Sequence, residues 1–239
     1  MRAWLGFVRW DVTIQARNGF YWASAFVAVT MGALVAALPA AVRAQPEIWV
    51  APIVVMNLQI TTFFFVTGLV LLDRDEGTLI ALAASPLSAG QYLAAQAVTL
   101  TLLATIETVV IIWIGFGFGG LWLLTLPAIA LLGVIYTGFG AVLATKYESV
   151  NALLLPASVV VTFLLFPLLP HFGLSSRPLF LPFPTEPILA MVRAAYRPAN
   201  PGDLVFGIVG AIVWAAVAFA VGAHQVNGLM RDTKATGGR

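Results

Sequence analysis

Few side chains in this sequence are equipped for chemistry, and their spacing excludes most of the chemistry open to them. The two histidines, His171 and His224, stand far apart without metal-ligand spacing, and no cysteine supplies a thiolate or a disulfide. A phosphate-binding loop, G-x-x-x-x-G-K-[ST], needs lysine directly after glycine. The only lysines, Lys146 in ATKYES and Lys234 in DTKATGG, both follow threonine. Neither G-x-S-x-G nor H-E-x-x-H occurs. An intramembrane protease would need a serine or paired aspartates inside spans with catalytic partners, whereas Asp73 and Asp75 sit on a short polar stretch. No catalytic residue, metal site or cofactor site is expected, and the chain does not read as an enzyme.

Glu107 is different, because it is the one carboxylate well inside an apolar run. It lies about 24 Å along its helix from Gln91 at 1.5 Å per residue, nearer the far end of that run. A carboxylate at the membrane centre costs roughly 2.5–3.5 kcal/mol, so such a group normally faces protein or water. Glu107 is therefore expected either to face a cavity that receives cationic or zwitterionic compounds, or to pair with a neighbouring span. A second polar group, Asn57, Gln59, Thr61, Thr62 and Thr67, is interleaved with Phe63, Phe64 and Phe65. Asn57, Thr61 and Phe64 share one helical face. With Glu107 they form a candidate translocation path in which the phenylalanines act as a gate. The plainer role for such residues is hydrogen bonding between helices. The glycines of GFGFGG and Gly133, Gly138 and Gly140 are expected to mark close helix contacts rather than a ligand loop.

The elements that must position these residues are membrane spans. Of 239 residues, 61% are hydrophobic and only 9% charged, against about 25% charged in soluble domains. About twenty apolar residues suffice to cross a bilayer. Six segments qualify, near 20–41, 50–72, 91–116, 121–144, 152–169 and 204–224. Residues 1–19 mix Trp4, Leu5, Phe7, Val8 and Val12 with Arg2, Arg9, Asp11, Gln15 and Arg17. This pattern suits a helix lying in the interface, with a simple cytosolic tail as the alternative. Eight basic residues (Arg2, Arg9, Arg17, Arg74, Lys146, Arg231, Lys234, Arg239) fall on one side, and four (Arg43, Arg177, Arg193, Arg197) on the other. The positive-inside rule then places both termini, the polar tail 225–239, residues 73–91 and the Lys146 loop in the cytoplasm of a multi-pass cell-membrane protein. Because the basic residues are scattered over span ends, no nucleic-acid partner is expected. On the outer side, Thr185-Glu186-Pro187 reads as a helix start with Thr185 as cap. The segment 185–197 is then either a helix dipping back into the membrane rim or a surface connector.

Between the second and third spans lies a polar bridge that opens with four ionisable residues, Asp73, Arg74, Asp75 and Glu76. Thr78–Ala84 reads as a short helix with Leu79, Ile80 and Leu82 on its apolar side. Asp75, Glu76 and Thr78 are expected at its start, near the free N–H groups, and Ser85-Pro86 should stop it. A capped helix laid across a membrane exit suits a contact in the aqueous phase, though an ordinary capped loop would carry the same residues.

The bridge, DRDEGTLIALAASPLSAGQYLAAQ, resembles the ERExGTLExLLxSPLSxxxYLxAK region of type-2 ABC exporter permeases. The six-span layout, the interfacial N-terminal helix and the outer segment before the last span are similar as well, so the resemblance covers nearly the whole chain. The opening WDVTIQARNGFYW and the overall size are most similar to fluoroquinolone-export-type permeases. The resemblance implies an all-α membrane domain that pairs with a second permease subunit, identical or not, and with two cytosolic ATP-binding subunits. ATP and its magnesium would be bound by those partners. It also implies that Asp75, Glu76, Gly77 and Thr78 begin a coupling helix, that Leu79 lies within it, and that Ser85, Pro86 and Leu87 end it. The chain departs from the pattern with Asp73 and Asp75 for glutamate, and with Ile80-Ala81 where Glu-Ala is common. The expected function is the permease subunit of an exporter that moves an amphipathic small molecule (drug, metabolite or lipid) outward by alternating access. A stand-alone proton-coupled transporter using Glu107 is the rival reading.

Overall fold

The computed structural model describes residues 2–117, 122–196 and 200–237. Arg239, Arg197 and most of the turn before the fourth span lie outside them. Among the described residues the chain is helical, without a strand. In order, α1 is Arg2–Arg17, α2 Phe20–Ala36, α3 Ala40–Arg43 and α4 Pro46–Leu58. A π-helical stretch, Gln59–Phe64, joins α4 to α5, Phe65–Asp75. Then come α6 Thr78–Ala84, α7 Ala89–Phe116, α8 Leu126–Ala144, α9 Val150–Leu165, α10 Leu168–His171, α11 Glu186–Tyr196 and α12 Pro201–Gly237.

Five stretches are long and apolar enough to cross a membrane: Pro46–Asp75, Ala89–Phe116, Leu126–Ala144, Val150–His171 and Pro201–Asp232. α1 and α2 qualify as a sixth only when taken together, and they meet at a bend of 66°. The first apolar helix stops at Ala36, short of the expected residue 41. Pro39 follows two residues after its cap, and proline cannot continue the hydrogen-bond ladder. The last helix does the opposite. The expected tail from 225 is helical as far as Gly237, and Val226 and Met230, one turn apart, are buried against the bridge. Polarity alone did not end that helix, because its inward face still had apolar surface to cover.

α8 lies at the centre of the bundle, packed against α4, the π-helical stretch, α5, α7, α11 and α12. Glycine allows the closest of these approaches. A Cβ on Gly138 would overlap the Ala218 carbonyl of α12, and one on Gly140 would stand 2.6 Å from the Phe63 carbonyl. Gly133 faces Thr101 of α7 in the same way. α2 uses Ser24, Ala28 and Gly32, spaced by four, to lie close along α7.

On the outer side, Thr185 does not cap α11. Its hydroxyl donates instead to the Leu164 carbonyl, at 2.6 Å, tying α11 to the end of α9. Residues Glu186–Val192 are all buried, and α11 packs against α4, α8 and α12. It is an integral part of the bundle, so the surface-connector alternative does not hold.

Candidate functional site

The bridge differs from expectation at its start. Asp75 is the last residue of α5 and Glu76 its C-cap, so both carboxylates sit at the end of one helix rather than the beginning of the next. Gly77 makes the break. It adopts φ +70°, a left-handed conformation that costs an L-residue about 1–2 kcal/mol, and its N–H closes the turn on the Arg74 carbonyl. α6 then begins at Thr78 with no side-chain cap. Its anchor is Leu79, 0% exposed among Val66, Leu69, Val70, Tyr92, Val226 and Met230. Asp75, Glu76, Ile80, Ser85 and Pro86 face outward, while Leu82 and Leu87 are half-buried. Ser85 ends the helix extended, its hydroxyl donating to the Leu82 carbonyl and accepting from the Leu87 N–H. Ser88 and Gln91 then form a reciprocal capping box that starts α7.

Two buried carboxylates brace the bridge. The Tyr92 hydroxyl donates to Asp73 at 2.7 Å, and Gln96 donates to the same hydroxyl at 2.9 Å. Asp11 of α1 accepts from Thr99 at 2.6 Å and from Gln15 at 2.8 Å. α1 is thus tied through its buried polar face to α7, and Trp4 donates to the Gln91 carbonyl at the same end. Neither pairing was anticipated from sequence. The four-residue spacings Asp11/Gln15 and Tyr92/Gln96 are the only signal that each pair shares a face. At the adjoining loop, Arg74 reaches Glu148 at 3.4 Å.

Deeper in the bundle, Asn57, Thr61 and Glu107 come together. Glu107 is 2% exposed, and its Oε2 accepts from Asn57 Nδ2 at 3.2 Å and from the Thr61 hydroxyl. Asn57 also donates to Thr108 at 3.1 Å. Phe64 does not join them. The π-helical turn spreads more residues over each revolution, so three residues from Thr61 fall well short of a full turn. Phe64 instead packs edge-on against Phe63 beside the main core. Ser24 of α2, also buried, stands at hydrogen-bonding reach of the Glu107 carboxylate. Both residues line a cavity of about 220 Å³ between α2 and α7.

The end of the bundle opposite the bridge carries an ion cluster. Glu186, fully buried, accepts from Arg177 and Arg193 at 2.7 Å each, and Arg177 also reaches Asp203 of α12 at 2.7 Å. Burial works against the Arg177 charge, but the hydrogen bonds and opposite charges of Glu186 and Asp203 outweigh it and hold the guanidinium above its ordinary value. Among the described residues no group of three or more His, Cys, Asp or Glu could hold a metal ion.

Comparison with known proteins follows the same lines. The model of the fluoroquinolones export permease protein family matches residues 2–228. Two relatives from Mycobacterium tuberculosis, from strains CDC 1551 / Oshkosh and ATCC 25618 / H37Rv, are each named a fluoroquinolones export permease protein. Each is 30% identical to this chain over 238 residues, covering 97% of the chain and 93% of the relative.

Proposed function

The chain belongs to the fluoroquinolones export permease protein family, and from that premise we propose that it is the membrane subunit of an ATP-driven exporter. It is a multi-pass membrane protein and a permease of an exporter. The energy source is the proposed part. ATP and magnesium would be held by separate cytosolic subunits, two of them serving a pair of permease chains, with both termini on their side of the membrane. The cargo would be an amphipathic small molecule, consistent with the name its relatives carry.

The observation that carries this reading is the construction of the bridge. α6 packs against α5 and α12 with Leu79 buried in their shared core, while Asp75, Glu76, Ile80 and Pro86 remain open to an aqueous partner. A push on that outer face would reach two spans, those of α5 and α12, around a single buried side chain. Because packed cores switch between discrete arrangements rather than deforming smoothly, such a push favours a change of state over local yielding. The outer end has its own contact to reset, in the Arg177, Arg193, Glu186 and Asp203 cluster. Alternating access would then exchange a closed outer end for an open one as α6 is displaced.

The test is affinity capture of the tagged chain from its native membrane, with ATPase activity measured in the eluate. A co-purifying ATP-binding subunit that is released by Glu76→Lys supports the reading. A chain that comes alone and never hydrolyses ATP contradicts it, and would favour a proton-coupled carrier built on Glu107.

A further inference from the structure

One face of α1 turns away from the rest of the bundle. Phe7, Asp11, Ile14 and Gln15 form the buried face, which docks on the bridge end of α7. The opposite face is exposed, and at 3.6 residues per turn its side chains fall into a graded order. From one edge of the buried face round to the other they are Val12, Leu5, Ala16, Arg9, Thr13 and Arg17. The apolar three come first and the polar three follow. Exposed leucine and valine lose by facing water, and free guanidinium groups lose by entering hydrocarbon. Both demands are met where a helix lies along a leaflet, its apolar edge sunk among acyl chains and its basic edge at the headgroups. The path of the chain provides that attitude. Gly19, at φ +78°, turns α1 from α2 by 66°, so with α2 crossing the bilayer α1 runs closer to the surface than to the normal. Phe7 shares a core with Leu79 of α6, which puts α1 on the same side of the membrane as the bridge.

The charge of this face selects among headgroups. Asp11 is the one acid of α1, and it is buried on the far side against Thr99 and Gln15. Arg9 and Arg17 are exposed, and among the described residues no ion pair reaches either guanidinium. They stand about 12 Å apart along the helix at 1.5 Å per residue, too far to share one phosphate. A guanidinium pairs with a phosphate through two parallel hydrogen bonds. A phosphatidylcholine headgroup brings its own ammonium and leaves the arginine charge unbalanced, whereas a lipid with net negative charge cancels it.

We propose that the exposed face of α1 is a docking surface for anionic phospholipids, with Leu5, Val12 and Ala16 among the acyl chains and Arg9 and Arg17 each on the phosphate of a negatively charged lipid. α1 is tied to α7 through Asp11, Gln15 and Thr99 and shares the core around Leu79, so such lipids hold the helix that braces the bridge. The binding does not depend on what drives transport.

The sequence has no cysteine, so a single introduced thiol takes a single label. The full chain with Ala16→Cys carrying bimane is reconstituted in phosphatidylcholine vesicles that contain a small fraction of a quencher lipid, its nitroxide near the top of one acyl chain. The quencher has either a phosphatidylglycerol or a phosphatidylcholine headgroup. Phosphatidylglycerol should quench at least about twofold more strongly, because basic residues at a membrane surface gather anionic lipid, and the excess should fade with added salt. Adding Arg9→Gln and Arg17→Gln should remove the excess and leave quenching by phosphatidylcholine in place. Bimane on Val205→Cys, exposed near the start of α12 at the opposite end of the bundle, should be quenched equally by both lipids. Equal quenching at Ala16→Cys, an excess that survives loss of both arginines, or the same excess at Val205→Cys would each overturn the proposal. So would quenching by neither lipid at Ala16→Cys, the result expected if a protein surface covers this face instead.

Discussion

At the scale of single residues, the pairing of Asp73 with Tyr92 explains why a carboxylate and a tyrosine nineteen positions apart frame the bridge. Both are buried, and the hydroxyl is the only side chain that donates to the acid among the described residues. Tyr92→Phe should lower stability by about 1–3 kcal/mol, the cost of leaving a buried acceptor unmade. Thermal unfolding of the detergent-solubilised chain would register the loss, and adding Asp73→Asn should restore part of it. A full-sized effect in the single variant with no recovery in the double would mean that the hydroxyl matters for packing alone. Glu107 was visible in the sequence because a lone carboxylate in an apolar run needs a reason to be there. Ser24 was not, since one serine among apolar residues usually bonds its own helix and leaves no mark. Phe64 was misaligned with Thr61 because a π-helical turn changes the rotation per residue without any sign in composition.

At the scale of elements, the short helix α6 was legible as a helix but not in how it starts. Asp75 and Glu76 have the chemistry of an N-terminal cap, yet Gly77 takes the left-handed turn and leaves them on α5. Gly77→Ala should therefore cost about 1–2 kcal/mol from backbone strain alone, since nothing crowds the site. Leu79→Ala should cost more, about 2–5 kcal/mol, because it empties a fully buried position in the core where α6 meets α5 and α12. Chemical or thermal unfolding would rank the two, and the reverse order would show that α6 is held by its turn rather than its anchor. Gly138 is a third kind of position. Gly138→Val would drive a side chain into the Ala218 carbonyl and should cost about 1–3 kcal/mol or more in overpacking, measured in the same way. Close helix contact at Gly133, Gly138 and Gly140 was expected from the glycines themselves; the partner helices were not, because a small residue says only that something comes near.

At the scale of the whole molecule, α12 connects the two ends. It is 37 residues long, and the stretch from Asp203 beside Arg177 to Met230 in the core with Leu79 covers about 40 Å at 1.5 Å per residue. A displacement of α6 therefore acts directly on the helix that carries one member of the outer ion cluster. The hydropathy of the sequence located the spans, but the length of this helix was hidden by its charged end, where Arg231 and Asp232 looked like a tail. The outer cluster was hidden for a different reason: its residues are scattered from 177 to 203, and only the buried docking of α11 assembles them. Glu186→Ala should destabilise the chain by about 2 kcal/mol. That is less than for a wholly buried pair, because Arg177 and Arg193 keep 33% and 24% of their side chains in solvent. Unfolding of the variant measures this, and no change would mean that apolar packing alone holds α11.

The most direct test of the account is transport in inside-out membrane vesicles containing the permease with the ATP-binding subunit proposed for it. ATP-dependent uptake of a fluorescent amphipathic amine would be compared between the wild type and Glu76→Lys, with thermal unfolding of each chain measured in parallel. Glu76 is exposed and its side chain makes no described hydrogen bond or ion pair, so its reversal should leave folding unchanged while abolishing ATP-driven uptake. Undiminished uptake in the variant, at equal expression and stability, would contradict the proposal that α6 is where ATP hydrolysis is felt.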